Sequence, residues 1–338
     1  MTKQMDTDVA IVGAGPTGLF AVFQCGMLGL KCHMIDSLDQ IGGQCTALYP
    51  EKPIYDIPAE PSITAATLIE QLEAQAAPFA PTTHLGHQVV EISGIEGNFT
   101  LKTDKNLILT AKAIIIAGGA GSFGPNRPPV ENITKYEGTS VFYAVRNRAQ
   151  FAGKKIVIAG GGDSAVDWAN SLAEIAAHIT LIHRRDKFRA AQSSLDTLAK
   201  NKASGKVEII TPAQLHTLHG NNNLLHKITI ADLDNKTQDI DANILLPFFG
   251  LATDLGPIEA WGLNLDHHQI KTDQSTSSTS TQGIYAIGDI ATYPHKLKLI
   301  LTGFAEAAQA AHHILHRLNP EKVQHFEYST TKGLPLKN

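Results

Sequence analysis

Two copies of one sequence pattern constrain the fold of this chain more than any other feature. In each copy a short run of β-branched and other apolar residues leads into a glycine cluster, a segment of helical length follows, and a second strand-like run closes the unit. The first copy covers residues 9–36 and the second covers residues 156–182. This order is typical of a βαβ unit in a parallel sheet. The sequence therefore predicts two nucleotide-binding folds in one chain.

The glycines of the first unit have the spacing of a dinucleotide fingerprint. Gly13, Gly15 and Gly18 fit G-x-G-x-x-G, directly after the strand and at the start of the helix. Glycines at these positions let the backbone turn tightly and approach a pyrophosphate, whose charge meets the helix N-terminus. Asp36 ends the next strand, about 20 residues later, where a carboxylate can accept hydrogen bonds from a ribose 2′-hydroxyl. We therefore predict a dinucleotide site here rather than only a tight turn.

The second unit has a fingerprint of the same kind but differs in charge after its second strand. Its turn contains Gly160, Gly162, Asp163 and Ser164, followed by the alanine that the motif permits in its last position. At the place that corresponds to Asp36 stands a basic stretch, with His183, Arg184, Arg185, Lys187 and Arg189. A carboxylate there would repel a 2′-phosphate, whereas guanidinium groups bind it through charge-assisted hydrogen bonds. The position of the stretch favours NADP over NAD as the ligand. It also favours a binding site over a merely solvated basic surface.

Further strand-like segments lie outside the two units. Residues 98–110 predict a hairpin and residues 113–117 a separate buried strand. Residues 207–210 and 227–230 flank a turn-rich stretch and predict a strand pair. A last strand enters a glycine turn at residues 283–289, ahead of a helix-like segment.

Two linker-like segments, residues 121–129 and 247–256, separate the second unit from the rest and are candidate hinges. We therefore predict an α/β fold with two Rossmann-like, three-layer dinucleotide-binding domains, the second inserted in the first. Residues 1–122 and 251–338 would form the first domain, and residues 123–250 the inserted one.

Composition narrows the classes of function. A chain of 338 residues, 43% of them hydrophobic, can build two compact cores. A net charge of −4 provides no basic field for a nucleic-acid backbone, and no stretch approaches the roughly 20 apolar residues that span a bilayer. The three cysteines match no disulfide framework or zinc pattern, which suits a reducing compartment. We predict a cytoplasmic protein that acts on small molecules, with no nucleic-acid, membrane or metal partner.

Several longer motifs extend beyond the glycine fingerprints. They are residues 40–44 (QIGGQ), 48–56 (LYPEKPIYD), 160–168 (GGGDSAVDW), 286–289 (AIGD), 296–300 (KLKLI) and 302–307 (TGFAEA). With them the chain resembles the thioredoxin-reductase-like ferredoxin/flavodoxin–NADP reductases over nearly its whole length. The resemblance implies FAD at the first unit, NADP(H) at the second, a ferredoxin or flavodoxin partner and a homodimer.

The resemblance also implies which residues contact FAD: Thr17, Asp36, Gln44, Tyr49, Val89, Phe123, Asp289 and Thr330. Tyr49 would stack on the flavin ring, where an aromatic face gains dispersion and excludes water. Asp289 would accept hydrogen bonds from the ribityl or pyrophosphate region. In the C-terminal stretch, where the family has a His-Ser-Thr-Ser-like sequence, Tyr328 is the candidate for the flavin's other face.

Missing thiols distinguish the chain from related flavoenzymes. Thioredoxin reductases have a Cys-x-x-Cys ahead of the second fingerprint, but residues 143–148 contain no cysteine. In the glutathione-reductase type a cysteine at the place of Cys45 pairs with one five residues later, which here is Pro50. Without a dithiol beside the flavin, electrons cannot leave by thiol–disulfide exchange. The predicted reaction is hydride transfer between NADP(H) and FAD, with single-electron transfer to or from ferredoxin or flavodoxin.

Two alternatives to this reaction stay open from the sequence. One is an NADPH-dependent flavin enzyme with another acceptor, such as a quinone, oxygen, or a disulfide protein reached through a partner. The other is a non-catalytic flavoprotein that senses NADPH. Because ferredoxins and flavodoxins are generally acidic, we expect Lys296 and Lys298, which follow the turn at Asp289, to lie on the docking surface.

Overall fold

The computed structural model describes residues 4–321 and 328–334, with the backbone alone at residues 4, 122, 123, 125, 251–253 and 332. The chain divides into two compact units, and the second is an insertion in the first. Met1–Phe123 and Thr253–Asn338 form the first unit, and Gly124–Ala252 forms the second. Each unit contains a parallel sheet, so the predicted α/β class is confirmed. No helix in the described part of the chain is long and apolar enough to cross a membrane.

The strands are β1 (Gln4–Val12), β2 (Cys32–Asp36), β3 (Pro53–Ile54), β4 (Ile63–Thr64), β5 (Thr82–Leu85), β6 (Val89–Ile95), β7 (Asn98–Thr103), β8 (Ile108–Ile116), β9 (Ser122–Pro125), β10 (Lys155–Ala159), β11 (His178–Ile182), β12 (Val207–Ile210), β13 (Gln214–Asn221), β14 (Leu224–Ala231), β15 (Thr237–Asp241), β16 (Ile244–Pro247), β17 (Leu251–Asp254), β18 (Leu265–Asp266), β19 (Gln269–Lys271), β20 (Ile284–Ala286) and β21 (Ala291–Thr292). The α-helices are α1 (Pro16–Met27), α2 (Gln44–Leu48), α3 (Ala65–Ala76), α4 (Asp163–Leu172), α5 (Gln192–Ala203), α6 (Ile300–Leu318) and α7 (Ser329–Lys332). Short 3-10 helices span Ala77–Phe79, Ile133–Tyr136, Arg148–Phe151, Gly256–Ala260 and Gly288–Ile290.

The first unit is built on a sheet in the order β5-β2-β1-β8-β7-β6, in which β5, β2, β1 and β8 run parallel. The long strand β8 pairs on its other edge with antiparallel β7 over its first half and with parallel β20 over its second half. The sequence had predicted a hairpin arm and a separate buried strand for these residues. They form one strand because both stretches pair with the same neighbour, β1.

Both faces of this sheet are covered, which explains the continuous apolar runs of its central strands. Side chains alternate between the two faces, so Ile11 and Ile115 belong to one core cluster while Ala10 and Ile114 belong to the other. Helices α1, α3 and α6 pack in the first cluster. With both faces filled, the place left for a ligand is the edge where the parallel strands have their carboxyl ends.

The second unit has a parallel sheet in the order β12-β11-β10-β16 and an antiparallel sheet β13-β14-β15. The strand pair predicted between residues 207–210 and 227–230 is wrong. Residues 207–210 are β12 and pair with β11, whereas the turn at Asn222 and Asn223 joins β13 to β14. Both asparagines have positive φ angles, 50° and 64°, which asparagine tolerates in tight hairpin turns.

Candidate functional site

A cavity in the first unit opens at the carboxyl edge of its parallel sheet. It draws residues from several parts of the chain. They include Gly13, Gly15 and Thr17 from the turn into α1; Asp36 at the end of β2; Gln44, Cys45 and Tyr49 around α2; Val89 at the start of β6; and Asp289 after β20. The structure therefore brings together most of the residues that the sequence predicted for FAD.

The glycines of the first turn have different physical reasons to be glycine. A Cβ on Gly13 would lie 2.3 Å from the Ala117 carbonyl oxygen, and one on Gly18 would lie 2.1 Å from the Gly13 carbonyl oxygen. The protein's own backbone therefore excludes a side chain at these two positions. Gly15 is different, because a Cβ there would have no described atom within 4 Å and its φ of −74° suits any residue. The space beside Gly15 belongs to the cavity, as expected where a pyrophosphate approaches the N-terminus of α1.

Asp36 is held rigidly at the rim of the cavity. One carboxylate oxygen accepts a hydrogen bond from the Ala14 amide over 2.6 Å and the other accepts one from the Leu38 amide over 2.8 Å. Burial raises the pKa of the Asp36 carboxyl, and these two backbone hydrogen bonds oppose the rise. Since each carboxylate oxygen can accept more than one hydrogen bond, capacity remains for ribose hydroxyls.

Around α2 the cavity wall is neutral. The Cys45 thiol donates to the Tyr49 hydroxyl over 3.8 Å. Burial raises the pKa of the Cys45 thiol and that of the Tyr49 phenol. A thiolate is the reactive form of cysteine, so this environment keeps Cys45 unreactive. All three cysteines are buried and free.

Sequence reasoning missed a buried ion pair beneath the turn at Asp289. The Glu306 carboxylate forms hydrogen bonds with the Gly288 amide, the Tyr293 hydroxyl and the Lys296 ammonium. The side chain of Lys296 is only 3% exposed, so its predicted place on a docking surface is wrong, whereas Lys298 is exposed. A signal was present in the sequence, because Glu306 lies on the buried stripe of α6 together with Gly303, Ala307 and Ala310.

Trp261 was also missed. Its side chain lines the cavity, and its indole Nε1 is buried with no hydrogen-bond partner in the described chain. Buried polar atoms are almost always hydrogen-bonded, so an orphaned donor at a cavity wall indicates a ligand with an acceptor. An open helix N-terminus, a fixed carboxylate, an aromatic side chain and an unpaired donor fit FAD.

Four predicted FAD residues are not placed in this cavity. Gly18 lies in α1 and is not among the lining residues. Thr330 lies in α7, and Tyr328 is the residue just before this helix. Both are exposed, and neither lines the cavity. The side chain of Phe123 lies outside the described residues. Their contacts with FAD stay predictions.

The second unit presents its glycine turn at the exposed start of α4. Gly160 must be glycine, since a Cβ would lie 2.6 Å from the Phe248 carbonyl oxygen. Gly162, Asp163 and Ser164 are exposed at the helix N-terminus. The ring of His183 lies against Gly161, where a Cβ would be 2.3 Å from ring atoms, and it stacks on Phe188 with centroids 5.5 Å apart.

The basic stretch folds back onto this glycine turn. The Arg189 amide donates to the Gly161 carbonyl oxygen over 2.7 Å, and the Ala191 amide donates to the Asp163 carboxylate over 3.0 Å. Arg184, Arg185 and Arg189 are exposed, and within the described residues none of the three forms an ion pair. Burial lowers the pKa of His183, and the three arginines lower it further. Such unpaired guanidinium groups beside a helix N-terminus can bind a phosphate.

Comparisons with known proteins agree with this geometry. Residues 7–313 match the family model described as pyridine nucleotide-disulphide oxidoreductase. A ferredoxin–NADP reductase of Rickettsia felis is 60% identical, with 96% of this chain and 97% of the relative covered. One of Acidiphilium cryptum is 58% identical, with 99% of each covered.

Solved structures of two thioredoxin reductases share the fold of this chain. The chain resembles a thioredoxin reductase of T. acidophilum with a TM-score of 0.78 at 24% identity, covering 93% of this chain and 99% of that one. A Lactococcus lactis thioredoxin reductase has a TM-score of 0.76 at 22% identity, with 94% and 100% covered. The predicted fold with two Rossmann-like domains is confirmed.

Proposed function

The chain belongs to the pyridine nucleotide-disulphide oxidoreductase family, and we propose that within it the protein is an FAD-dependent ferredoxin–NADP⁺ or flavodoxin–NADP⁺ reductase. One observation carries the choice within the family. The cavity has a single thiol among its described lining residues, Cys45, and the position where a partner cysteine would stand is Pro50. Electrons that reach this site therefore have no disulfide to leave by. The names of the relatives at about 60% identity support the same reaction.

The first unit holds FAD in this proposal. The N-terminus of α1 and the space beside Gly15 receive the pyrophosphate, and Asp36 accepts hydrogen bonds from the ribose. Tyr49 excludes water from the ring, and Asp289 accepts hydrogen bonds from the ribityl chain or the pyrophosphate. When bound, FAD supplies the ability to take part in both two-electron hydride transfer and single-electron transfer. Tyr328, Thr330 and Phe123 stay candidates for further contacts.

The inserted unit holds NADP(H). Gly160, Gly162 and Ser164 shape the pyrophosphate site at the N-terminus of α4, while Arg184 contacts the 2′-phosphate with either Arg185 or Arg189 as the second contact. The exposure of these arginines and their lack of acidic partners in the described chain support this assignment. The domain limits proposed for the two functions are residues 1–122 with 251–338 for FAD, and residues 123–250 for NADP(H).

We further propose an acidic electron-transfer protein as partner, a homodimer and a cytoplasmic location. The exposed Lys298, close to the wall residue Ile300, supports docking of an acidic partner near the cavity. Three unpaired cysteines suit a reducing compartment. The dimer rests on the family resemblance alone.

The test is NADPH-driven reduction of the organism's own ferredoxins and flavodoxins, compared side by side with quinones, oxygen and disulfide substrates. Rates with ferredoxin or flavodoxin far above the others are expected. Preferred turnover of quinones, oxygen or disulfides would contradict the proposed acceptor. A protein that binds NADPH but turns over no acceptor, artificial one-electron acceptors included, would instead be a sensor.

A further inference from the structure

A buried charged pair supports the turn that carries Asp289. The side chains of Lys296 and Glu306 are each only 3% exposed. One oxygen of Glu306 accepts from the Gly288 amide over 2.7 Å, and the other accepts from the Tyr293 hydroxyl over 2.8 Å and from the Lys296 ammonium. Burying a carboxylate and an ammonium is costly unless each finds its partner, so this arrangement is sensitive to the loss of either charge.

The turn is clamped from several sides. Gly303 of α6 approaches so closely that a Cβ would lie 2.5 Å from the Thr17 hydroxyl and 3.2 Å from the Gly288 Cα. On the other side, the amide of Gln269 donates to the carbonyl oxygens of Asp289 and Ala291 over 2.9 and 3.1 Å. Glu306 supplies the hydrogen bond that fixes the first amide of the turn.

Lys296 lies near Asp289, because the same Glu306 carboxylate bonds both the Lys296 ammonium and the amide of Gly288, the residue before Asp289. Burial raises the pKa of the Asp289 carboxyl, and the cations of Lys296 and Lys298 oppose that rise. Asp289 lines the cavity, whereas neither Lys296 nor Glu306 does. If Glu306 did not hold its ammonium, Lys296 could pair with Asp289 and occupy the oxygens that face the cavity.

We propose that Glu306 is a positioning residue for FAD binding, which fixes the Gly288 amide and holds the Lys296 ammonium away from the Asp289 carboxylate. Asp289 is thereby left to accept hydrogen bonds from the cofactor. This inference rests on the proposed placement of FAD in the first unit.

The experiment measures the dissociation constant of FAD for the apoprotein by flavin fluorescence. In Glu306→Gln the side-chain oxygen still accepts from Gly288, but Lys296 loses its counter-charge. We expect FAD binding to weaken about tenfold, since charge-assisted hydrogen bonds are worth about that factor or more. Glu306→Gln with Lys296→Met removes the released cation, and FAD affinity should return to within about threefold of the wild type.

A double-mutant cycle between Glu306 and Asp289 separates a positioning role of Glu306 from a general loss of structure. Asp289→Asn should weaken FAD binding in the wild-type background. It should cause little further loss of affinity in the Glu306→Gln background, where the Lys296 ammonium already pairs with the Asp289 carboxylate. Independent, additive losses would show that Glu306 acts only on the stability of the fold. The melting temperature of the apoprotein should fall in Glu306→Gln, where Lys296 loses its buried counter-charge, and should recover when Lys296→Met is added. The affinity for NADP⁺ should be close to wild type in each variant.

The matched control is Glu96→Gln, which breaks the ion pair between Glu96 and Arg317 of α6 (2.6 Å). It should leave FAD affinity unchanged. If Glu306→Gln does not fold, Tyr293→Phe removes one donor from Glu306 without altering charge, with Tyr285→Phe as its control because that hydroxyl bonds His313 of the same helix.

Tyr293→Phe should bind FAD about threefold more weakly. Wild-type affinity in both Glu306→Gln and Tyr293→Phe, or a double variant no better than Glu306→Gln, would overturn the inference. A wild-type apoprotein that does not bind FAD would overturn the proposed function instead.

Discussion

The carboxylate of Asp163 accepts a hydrogen bond from the Ala191 amide over 3.0 Å, which ties the far end of the basic stretch to the first turn of α4. An acidic side chain at an anion-binding helix N-terminus would otherwise be unfavourable for a phosphate ligand. Here the carboxylate serves the segment that carries the arginines. The Arg189 amide also donates to the Gly161 carbonyl oxygen. These two hydrogen bonds fix the backbone from which the arginine side chains extend.

Loss of this tether should weaken NADPH binding without altering the chemistry. We expect Asp163→Ala to raise KM for NADPH about fivefold with kcat nearly unchanged, since one hydrogen bond is worth about 1 kcal/mol. Asp163→Asn keeps an acceptor oxygen and should stay close to wild type. Asp196→Ala, an acidic residue of α5 that pairs with Gln192, is the control. An unchanged KM in Asp163→Ala would show that the segment is held without it.

The arginines should determine the choice of nucleotide. Each guanidinium contact to a 2′-phosphate is worth about 1.5–3 kcal/mol, which is at least about tenfold. We expect Arg184→Ala and Arg185→Ala to lower kcat/KM for NADPH and to leave the NADH rate nearly unaltered. Equal losses with both nucleotides would indicate that these residues support the fold, and a wild type that prefers NADH would refute the NADP assignment.

Gly15 and Gly13 should fail in different ways when substituted. Gly15→Val directs its side chain into open cavity space, so we expect a folded but colourless protein with a normal melting temperature. Gly13→Ala forces a Cβ against the Ala117 carbonyl oxygen, so we expect a lower melting temperature. Absorbance at the flavin bands and thermal unfolding of the two apoproteins provide the measurement. Full FAD occupancy in Gly15→Val would refute the site.

The cysteines should be dispensable for electron transfer. Cys45 is buried and its pKa is raised, so it is a poor nucleophile at neutral pH. We expect Cys45→Ala to keep NADPH-dependent electron transfer within about twofold of wild type. The triple variant, with Cys25→Ala and Cys32→Ala added, should behave alike where it folds. Lost activity in a folded, FAD-loaded Cys45→Ala protein would reinstate a thiol mechanism.

Trp261 should contribute a hydrogen bond to the bound cofactor. Trp261→Phe keeps an aromatic side chain and removes the buried donor, so FAD binding should weaken about fivefold. Trp168→Phe is the control, because that residue lies in α4 of the other unit. Equal FAD affinity in wild type and Trp261→Phe would mean that water rather than FAD satisfies the indole.

Local residue patterns were enough to predict the features that depend on neighbouring residues. A glycine turn between a strand and a helix is specified by a few consecutive positions, so Gly13, Gly15 and Gly160 could be identified directly. The same holds for Asp36 and Arg184, whose places follow from the strand ends that precede them. Opposite charges at those two strand ends were enough to predict one site for a ribose hydroxyl and one for a phosphate.

Packing between helices, strands and turns decided which side chains meet. Lys296 stands in a stretch that alternates with exposed leucines, and only the packing of α6 against the turn at Gly288 buries it on Glu306. The indole of Trp261 reaches the cavity because the segment after β17 covers the sheet beside β6. Such contacts depend on strand register and helix packing, which the types of neighbouring residues do not specify.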